Sequence, residues 1–382
     1  MRSPPAIAHG GYIDGFAFAA HASAKRRRVD GGKGGCVVTA QHRPTSFDIA
    51  QLAGVSQPTV SRALRGSPTV SLATRQRIEA IARQLNYAVD RSASNLRSGT
   101  TRTIALLLFR DPNPDDTVVN PFFLGMLGSM MSACAQHGYD LLVSFQQFSS
   151  DWHTDYEDSH RADGLILLGY GDYADYRARL EQLVAQGTHF IRWGSVQPGQ
   201  PGLTIGCDNV AGGAAATRHL VERGRRRIAF LGDATDHYPE FHDRHRGYAE
   251  MLASHGMTID PRLQIDTIST EEDATRAAMT LVERGVAFDG IVAASDLIAL
   301  AAMRVLADAG IAVPGDVAIV GFDDIPAAGL ANPPLTTIAQ DSGLAGRQLV
   351  EMLLARIGNR EVASTMLPTQ LIVRRSSGDL PS

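Results

Sequence analysis

FDIAQLAGVSQPTVSRALRGS, residues 47–67, sets two short apolar-patterned segments against each other across Gly54. Ile49 and Leu52 are the apolar positions of the first segment, Val60 and Leu64 those of the second. Neither is long enough to hold a helix in water by itself. Thr45-Ser46-Phe47-Asp48 has the capping-box pattern that opens a helix. Gly54 permits a sharp turn, Ser56 caps the second helix, and Pro58 falls in its first turn, where a missing N–H costs nothing. Ser71 opens a third helix with Ile78, Ile81, Ala82 and Leu85 on one side, ending near Asn86. Three helices sharing one small core, with a glycine turn between the first two, form the helix-turn-helix pattern, whose second helix lies in the DNA major groove.

On that second helix Gln57, Pro58, Ser61 and Arg62 take the outward face. An arginine there can contact guanine through two hydrogen bonds, and Gln57 can read a base edge or cap a phosphate. Thr59 and the helix N-terminal N–H groups suit phosphate. Charge agrees with this placement. Residues 44–102 hold eight arginines against three acids, a net +5 in a chain whose total is −4, so the remainder is −9. A basic head on an acidic body fits a nucleic-acid partner.

The flanks are simpler. Residues 1–43, rich in Gly, Ala, Ser and charge, are expected to be a disordered extension. No methionine lies between Met1 and Met126, so a mis-assigned start, with initiation at Val37 or Val38, is an alternative. Lys25-Arg26-Arg27-Arg28 reads as a solvated charge cluster, with added phosphate attraction as the alternative. Residues 10–24 resemble a signal peptide only faintly, since Asp14 interrupts the apolar part. Cys36, Cys134 and Cys207 are odd in number and lack metal-ligand spacing, as expected of free thiols in a reducing compartment. No apolar run reaches the roughly 18–20 residues of a membrane span, and the expected location is the cytoplasm. Residues 90–101 are short, polar and expected to fold only against a partner; Leu96, the one large apolar residue there, is either a minor-groove wedge or a contact to the body.

From Thr103 onward apolar runs alternate with helical segments. Strands are expected at 104–109, 141–145, 164–168, 189–193, 227–231, 289–293 and 318–322, and helices at 122–137, 174–186, 209–223, 244–255, 273–284 and 296–309. Such alternation predicts parallel sheets flanked by helices. The length exceeds one sheet of about six strands, so two α/β subdomains with a cleft between them are expected.

The ordered set of motifs carries a resemblance. FDIAQLAGVSQPTVSRAL and VSLATRQRIEAIARQLNY, a hinge with Ala93 and Leu96, then NPFF at 120–123, GCDN at 206–209, RHLVERGRRRIAFLGD at 218–233, RHRGY at 244–248, ASDLIALAAMRVL at 294–306, VPGDVAIVGFDD at 313–324 and LTTIAQD at 335–341 together resemble the lactose-repressor/galactose-repressor family of bacterial transcription regulators over roughly residues 45–375. The resemblance implies an all-α helix-turn-helix head and a periplasmic-binding-protein-like α/β body of two parallel-sheet subdomains. The expected layout is a DNA-binding domain at 44–89, a hinge at 90–101, a body at 102–375 and a tail at 376–382. Within the body, one subdomain is expected at about 102–206 and 338–366, the other at about 208–335 and 367–375. The implied DNA-binding set is Thr45, Ser56, Gln57, Pro58, Thr59, Ser61, Arg62, Ala93 and Leu96. The implied effector contacts are Phe122, Phe123, Trp193, Arg244 and Asp323, with Asp208 and Ser295 as seconds. Arg and Asp suit vicinal hydroxyls, and aromatic faces suit sugar C–H patches or a planar base.

One position departs from the family pattern. Arg192 stands at the end of the fourth strand, where members often carry an acid. It either favours an acidic, phosphorylated or larger saccharide, or pairs structurally with Asp208 or Asp323. His237, His242 and His245, near Glu240 and Asp243, are read as cleft lining rather than metal ligands. Gly169-Tyr170-Gly171 lacks a dinucleotide fingerprint, no nucleophile–base pair is visible, and no cofactor is expected. The tail has no leucine heptads, so a homodimer on a pseudo-palindromic operator is expected. A soluble sugar-binding transport component would share the body but have no use for the head, and an enzyme would need a catalytic set.

Overall fold

The computed structural model describes residues 44–64, 66–87, 100–109, 119–146, 151–169 and 172–378. The 1–43 extension with its basic cluster and Cys36, the hinge positions Ala93 and Leu96, and residues 379–382 of the tail lie outside the described residues. The chain separates into two compact units, residues 1–89 and 90–382.

The first unit is built from α1 (Ser46–Ala53), α2 (Gln57–Leu64) and α3 (Leu72–Gln84). Its capping box is formed: Thr45 N donates to Asp48 Oδ2 at 2.7 Å, and Asp48 N donates to Thr45 Oγ1 at 3.4 Å. Gly54 ends α1 in the left-handed region at φ 63, where a side chain would be strained. Ile49, Val60 and Ile78, all fully buried, form the centre of the core, with Ala50, Ala53, Ala63 and Ala82 around them. Leu52, expected inside, is 63% exposed. At about 100° per residue it falls on the far side of Ile49 from Ala50 and Ala53, and those alanines let the helices approach closely.

The second unit holds two six-stranded sheets of matching design. The first contains β1 (Thr103–Leu108), β2 (Asp140–Phe145), β3 (Gly164–Leu168), β4 (Phe190–Trp193), β5 (Leu203–Cys207) and β11 (Thr365–Leu367). The second contains β6 (Ile228–Leu231), β7 (Gln264–Ile265), β8 (Gly290–Ala293), β9 (Ala318–Asp323), β10 (Thr336–Gln340) and β12 (Thr369–Ile372). Their orders are β11-β5-β4-β3-β1-β2 and β12-β10-β9-β8-β6-β7, parallel throughout except for antiparallel β12. Central strands such as β3, GLILL, are buried along their length because helices cover both faces. Each such leucine contributes about 1.5–3 kcal/mol by leaving water.

The helices are α4 (Pro121–Gln136), α5 (Tyr173–Ala185), α6 (Asn209–Glu222), α7 (Pro239–Ser254), α8 (Glu271–Glu283), α9 (Asp296–Asp308), α10 (Pro326–Leu330) and α11 (Ser342–Ile357). Glycines let α6 and α7 nearly touch: a Cβ at Gly213 would sit 2.0 Å from Arg244 O, and one at Gly247 2.0 Å from Val210 O. Helix α7 begins five residues before the expected 244, with Pro239 in its first turn.

The chain crosses between lobes three times: after β5, after β10, and between β11 and β12. The expected change of lobe between 335 and 338 falls inside β10, which belongs to the second sheet. Two crossings are near copies. Asp208 (φ −74, ψ 84) accepts from Ala211 N and opens α6, while Asp341 (φ −72, ψ 84) accepts from Leu344 N and opens α11. The lobes also share an Asp-Gly clamp. Asp163 accepts from Thr101 N, Thr101 Oγ1 and Arg102 N ahead of β1, and Asp289 accepts from Arg226 N and Arg227 N ahead of β6. No helix among the described residues is long and apolar enough to cross a membrane.

Candidate DNA-reading face and effector cleft

In the head, Pro58 and Arg62 are exposed on α2, and Gln57, Thr59 and Ser61 are half-buried. Arg62 makes no hydrogen bond or ion pair with any described residue. Its fork is therefore available to a base edge or phosphate. Gln57 is partly committed, since its Nε2 donates to Ser46 Oγ at 3.1 Å and ties α2 to α1. Ser56 and Thr59 share a hydroxyl hydrogen bond of 2.9 Å at the α2 opening. Thr45 spends both its N–H and its hydroxyl on Asp48. Arg75, one of the eight arginines, holds the loop after α2 by donating to Gly66 O at 3.1 Å and Ser67 O at 2.7 Å.

In the body, the lobes meet along a buried polar seam. Ser195, just after β4, donates its N–H to Glu240 Oε1 at 2.8 Å and its hydroxyl to Asp243 Oδ2 at 2.5 Å, both acids on α7. At the rim, Tyr173 N donates to His237 O at 2.8 Å, and His237 Nδ1 lies 2.7 Å from Asp172 Oδ2. Two small pockets lie along this seam. One, of about 30 Å³, is lined by Asn120, Phe123, Tyr238, Phe241 and Ser269 among others. Its neighbour, of about 20 Å³, is lined by Tyr173, Tyr176, Arg192, Trp193 and Glu240, and both touch Phe109 and Gly169. Ligand pockets usually measure about 300–1,000 Å³, so the lobes are closed on each other. Larger hollows of about 710 and 400 Å³ are open surface grooves and hold none of the expected contacts.

The expected effector residues divide into three groups. Phe123, Trp193 and Arg192 line the pockets. Phe122 is buried behind them, its ring 5.8 Å from Trp193 and 5.5 Å from Phe123. Arg244 and Asp323 lie deeper in the second lobe, 3.8 Å apart and each about 1% exposed. Arg244 also donates from Nε to Asn209 Oδ1 at 2.8 Å and from Nη1 to Ala294 O, and its guanidinium lies 3.7 Å over the Phe322 ring. Asp208 and Ser295 act as helix caps, Ser295 accepting from Ile298 N and from Ser269 Oγ.

Arg192 pairs with neither Asp208 nor Asp323. Its Nη2 donates to Gln200 Oε1 and, at 3.4 Å, to Ser195 O, and its guanidinium lies 5.4 Å over the Tyr173 ring. Loop 194–202, between β4 and β5, folds back and brings Gln200 to it before either acid is in reach. Of the three histidines only His237 reaches the seam. His242 faces Asp236 at 3.0 Å, and His245 packs edge-on against Phe230 at 5.0 Å inside the second lobe.

Asp323 carries a positive φ of 119, rare and costly for a residue with a side chain. Burial raises its carboxyl above the ordinary range, opposed by Arg244 and by the hydrogen bond from Gln340. Asp296 is raised as well, by burial first and then by the charge of Asp323. Its oxygens accept from Thr337 Oγ1 at 2.5 Å and Ile325 N at 2.9 Å. The two described cysteines are free and buried, which pushes Cys134 up to about 11 and Cys207 to about 12, away from nucleophilic use. Ser195, Gln200, Tyr173 and Tyr176 were not legible as site residues. The i, i+3 spacing of Tyr173 and Tyr176 is a signal that could have marked those two; none marks Ser195 or Gln200.

Comparison with known proteins places this geometry. Residues 47–90 match the family described as bacterial regulatory proteins, lacI family, and residues 217–377 match the periplasmic binding protein-like domain. The HTH-type transcriptional regulator CelR of Thermobifida fusca is 32% identical over 342 residues, covering 88% of this chain and 99% of that protein. The structure of a CelR–cellobiose complex superposes with a TM-score of 0.65 at 32% identity, covering 87% of this chain and 100% of that one. The lac repressor dimer bound to operator and the anti-inducer ONPF gives 0.76 at 25% identity, with 88% and 100% covered. Head, twin-sheet body and relatives agree: the chain belongs to the lacI family of bacterial regulatory proteins, DNA-binding transcriptional regulators under effector control and not enzymes.

Proposed function

We propose that this regulator is a cytoplasmic repressor that binds a pseudo-palindromic operator as a homodimer and is controlled by a saccharide or sugar derivative held between the lobes of its body. The observation that carries the reading is the closed polar seam. Residues from both lobes line it, so a ligand that parts or re-sets the lobes must bind the two lobe arrangements with different affinity, which is what coupling requires. The solved relatives with cellobiose and with operator support a sugar effector and a dimeric DNA complex.

In this reading Gln57, Pro58, Ser61 and Arg62 read the major groove. Thr45, Ser56 and Thr59 set the helix openings near phosphate, and Ala93 and Leu96 act in the hinge. Phe122, Phe123, Arg192, Trp193, Arg244 and Asp323 form the effector site, with Asp208 and Ser295 supporting them. Joining two heads through the body raises the effective concentration of the second head at its half-site. A gel shift with the chain's own upstream DNA, with and without candidate sugars, tests the reading. A sugar-dependent change in binding to an inverted repeat is expected, its sign separating inducer from corepressor. Equal binding to random competitor would overturn it.

A further inference from the structure

Arg192 is 4% exposed, yet no described carboxylate forms an ion pair with it, and its Nε has no hydrogen-bond partner. Arginine cannot shed its proton in a protein, and a buried N–H donor without an acceptor is unfavourable. None of the described acids around it accepts a hydrogen bond from it. Glu240 borders the same pocket and puts a negative charge near it, but its Oε1 accepts from Ser195 N. Asp243 is held by Ser195 Oγ and lies 3.1 Å from Arg246. Asp323 accepts from Gln340 and faces Arg244. Arg192 itself is held in place by Gln200, by Ser195 O and by the Tyr173 ring, so its fork is fixed. Beside it the Tyr173 hydroxyl is also buried, with no hydrogen-bond partner among the described residues. The same pocket is walled by Phe109, Tyr176 and Trp193.

Resting on the effector reading above, we propose that the effector is an anionic sugar, whose carboxylate or phosphate is received by the Arg192 guanidinium and the Tyr173 hydroxyl while its ring lies against Trp193 and Phe109. With Nη2 engaged by Gln200 and Ser195 O, the Nε–H is left to donate to one oxygen of an anion in a charge-assisted hydrogen bond. A neutral sugar would offer that donor only an uncharged, weaker acceptor.

The full-length protein is titrated by calorimetry with glucuronate, galacturonate and cellobionate, and separately with glucose 6-phosphate, each against its neutral parent sugar. At least one anionic sugar is expected to bind about 10-fold or more tightly than its parent, and the carboxylate and phosphate arms identify which anion is read. Arg192→Met should erase that preference. Equal binding of neutral and anionic sugars, or a preference that survives Arg192→Met, overturns the proposal while leaving the sugar-effector reading intact. If no sugar of either kind binds, both fall.

Discussion

Ser195 of one lobe and Asp243 of the other share a hydrogen bond of 2.5 Å, with both residues buried. With the Ser195 N–H on Glu240 Oε1, this makes lobe closure a property of the chain itself. Ser195→Ala leaves Asp243 Oδ2 without that donor. It should cost about 1–3 kcal/mol of stability in denaturant titration. Because closure then opposes ligand entry less, effector affinity should rise rather than fall. Weaker effector binding in this variant would show that the contact serves the ligand directly.

Arg62 is exposed on α2 and bonded to no described residue, so Arg62→Ala should leave the melting curve unchanged within about 0.5 kcal/mol. Operator affinity should drop by about 1–3 kcal/mol, with specificity relaxed at a single base position in each half-site. A binding-site selection on wild type and variant measures this. A uniform loss across all sequences would reassign Arg62 to phosphate.

Arg244→Ala removes a buried guanidinium from Asp323, Asn209 and Ala294 O. The second lobe should lose about 3–5 kcal/mol, so loss of effector response must be measured well below the variant's melting temperature. Arg244→Lys cannot reproduce the fork and should recover only part of the stability.

Asp296 and Asp323 both titrate above the ordinary carboxylate range in the folded protein. A raised acid binds its proton more tightly folded than unfolded. It therefore stabilises the fold at low pH, and that contribution is lost as pH rises from the unfolded value of about 4 through the raised folded value. His219 and His245, lowered by burial, act in the opposite direction, so the difference between proteins is the useful quantity. Asp323→Asn, which leaves Arg244 on α7, Gln340 on β10 and Asp296 on α9 in place, should gain stability relative to wild type as pH rises from about 4 to about 7. Parallel thermal melts across that range check it; a constant offset would mean Asp323 does not titrate there.

The head was almost fully legible because its signals are local. Thr45, Gly54, Pro58 and Ser71 each fix a boundary through their own backbone chemistry, and only the Leu52 exchange with Ala53 required knowing the packing. The buried strands β3, β8 and β9 were equally plain as apolar runs. Part of what escaped was polar or short, and part was neither: the 16-residue α11 and the buried β5, LTIGC, were not expected as elements. β10, TTIAQ, reads as a connector until Thr336 and Thr337 are seen to donate within the second lobe. Two-residue β7 carries no period at all. The start of α7 was hidden by the charged turn PEFHD. Arg192 stood out as a departure, but its partners lie eight residues away on a returning loop, and no spacing rule brings Gln200 there.

The three crossings set the kind of motion this body can make. Two plates joined by a single ribbon could tumble freely, whereas three ribbons side by side behave like a door hung on a row of pins, swinging about one line and resisting twist about any other. Rotation would thus be confined to one direction, with the matched turns at Asp208 and Asp341 both lying on the line of bending.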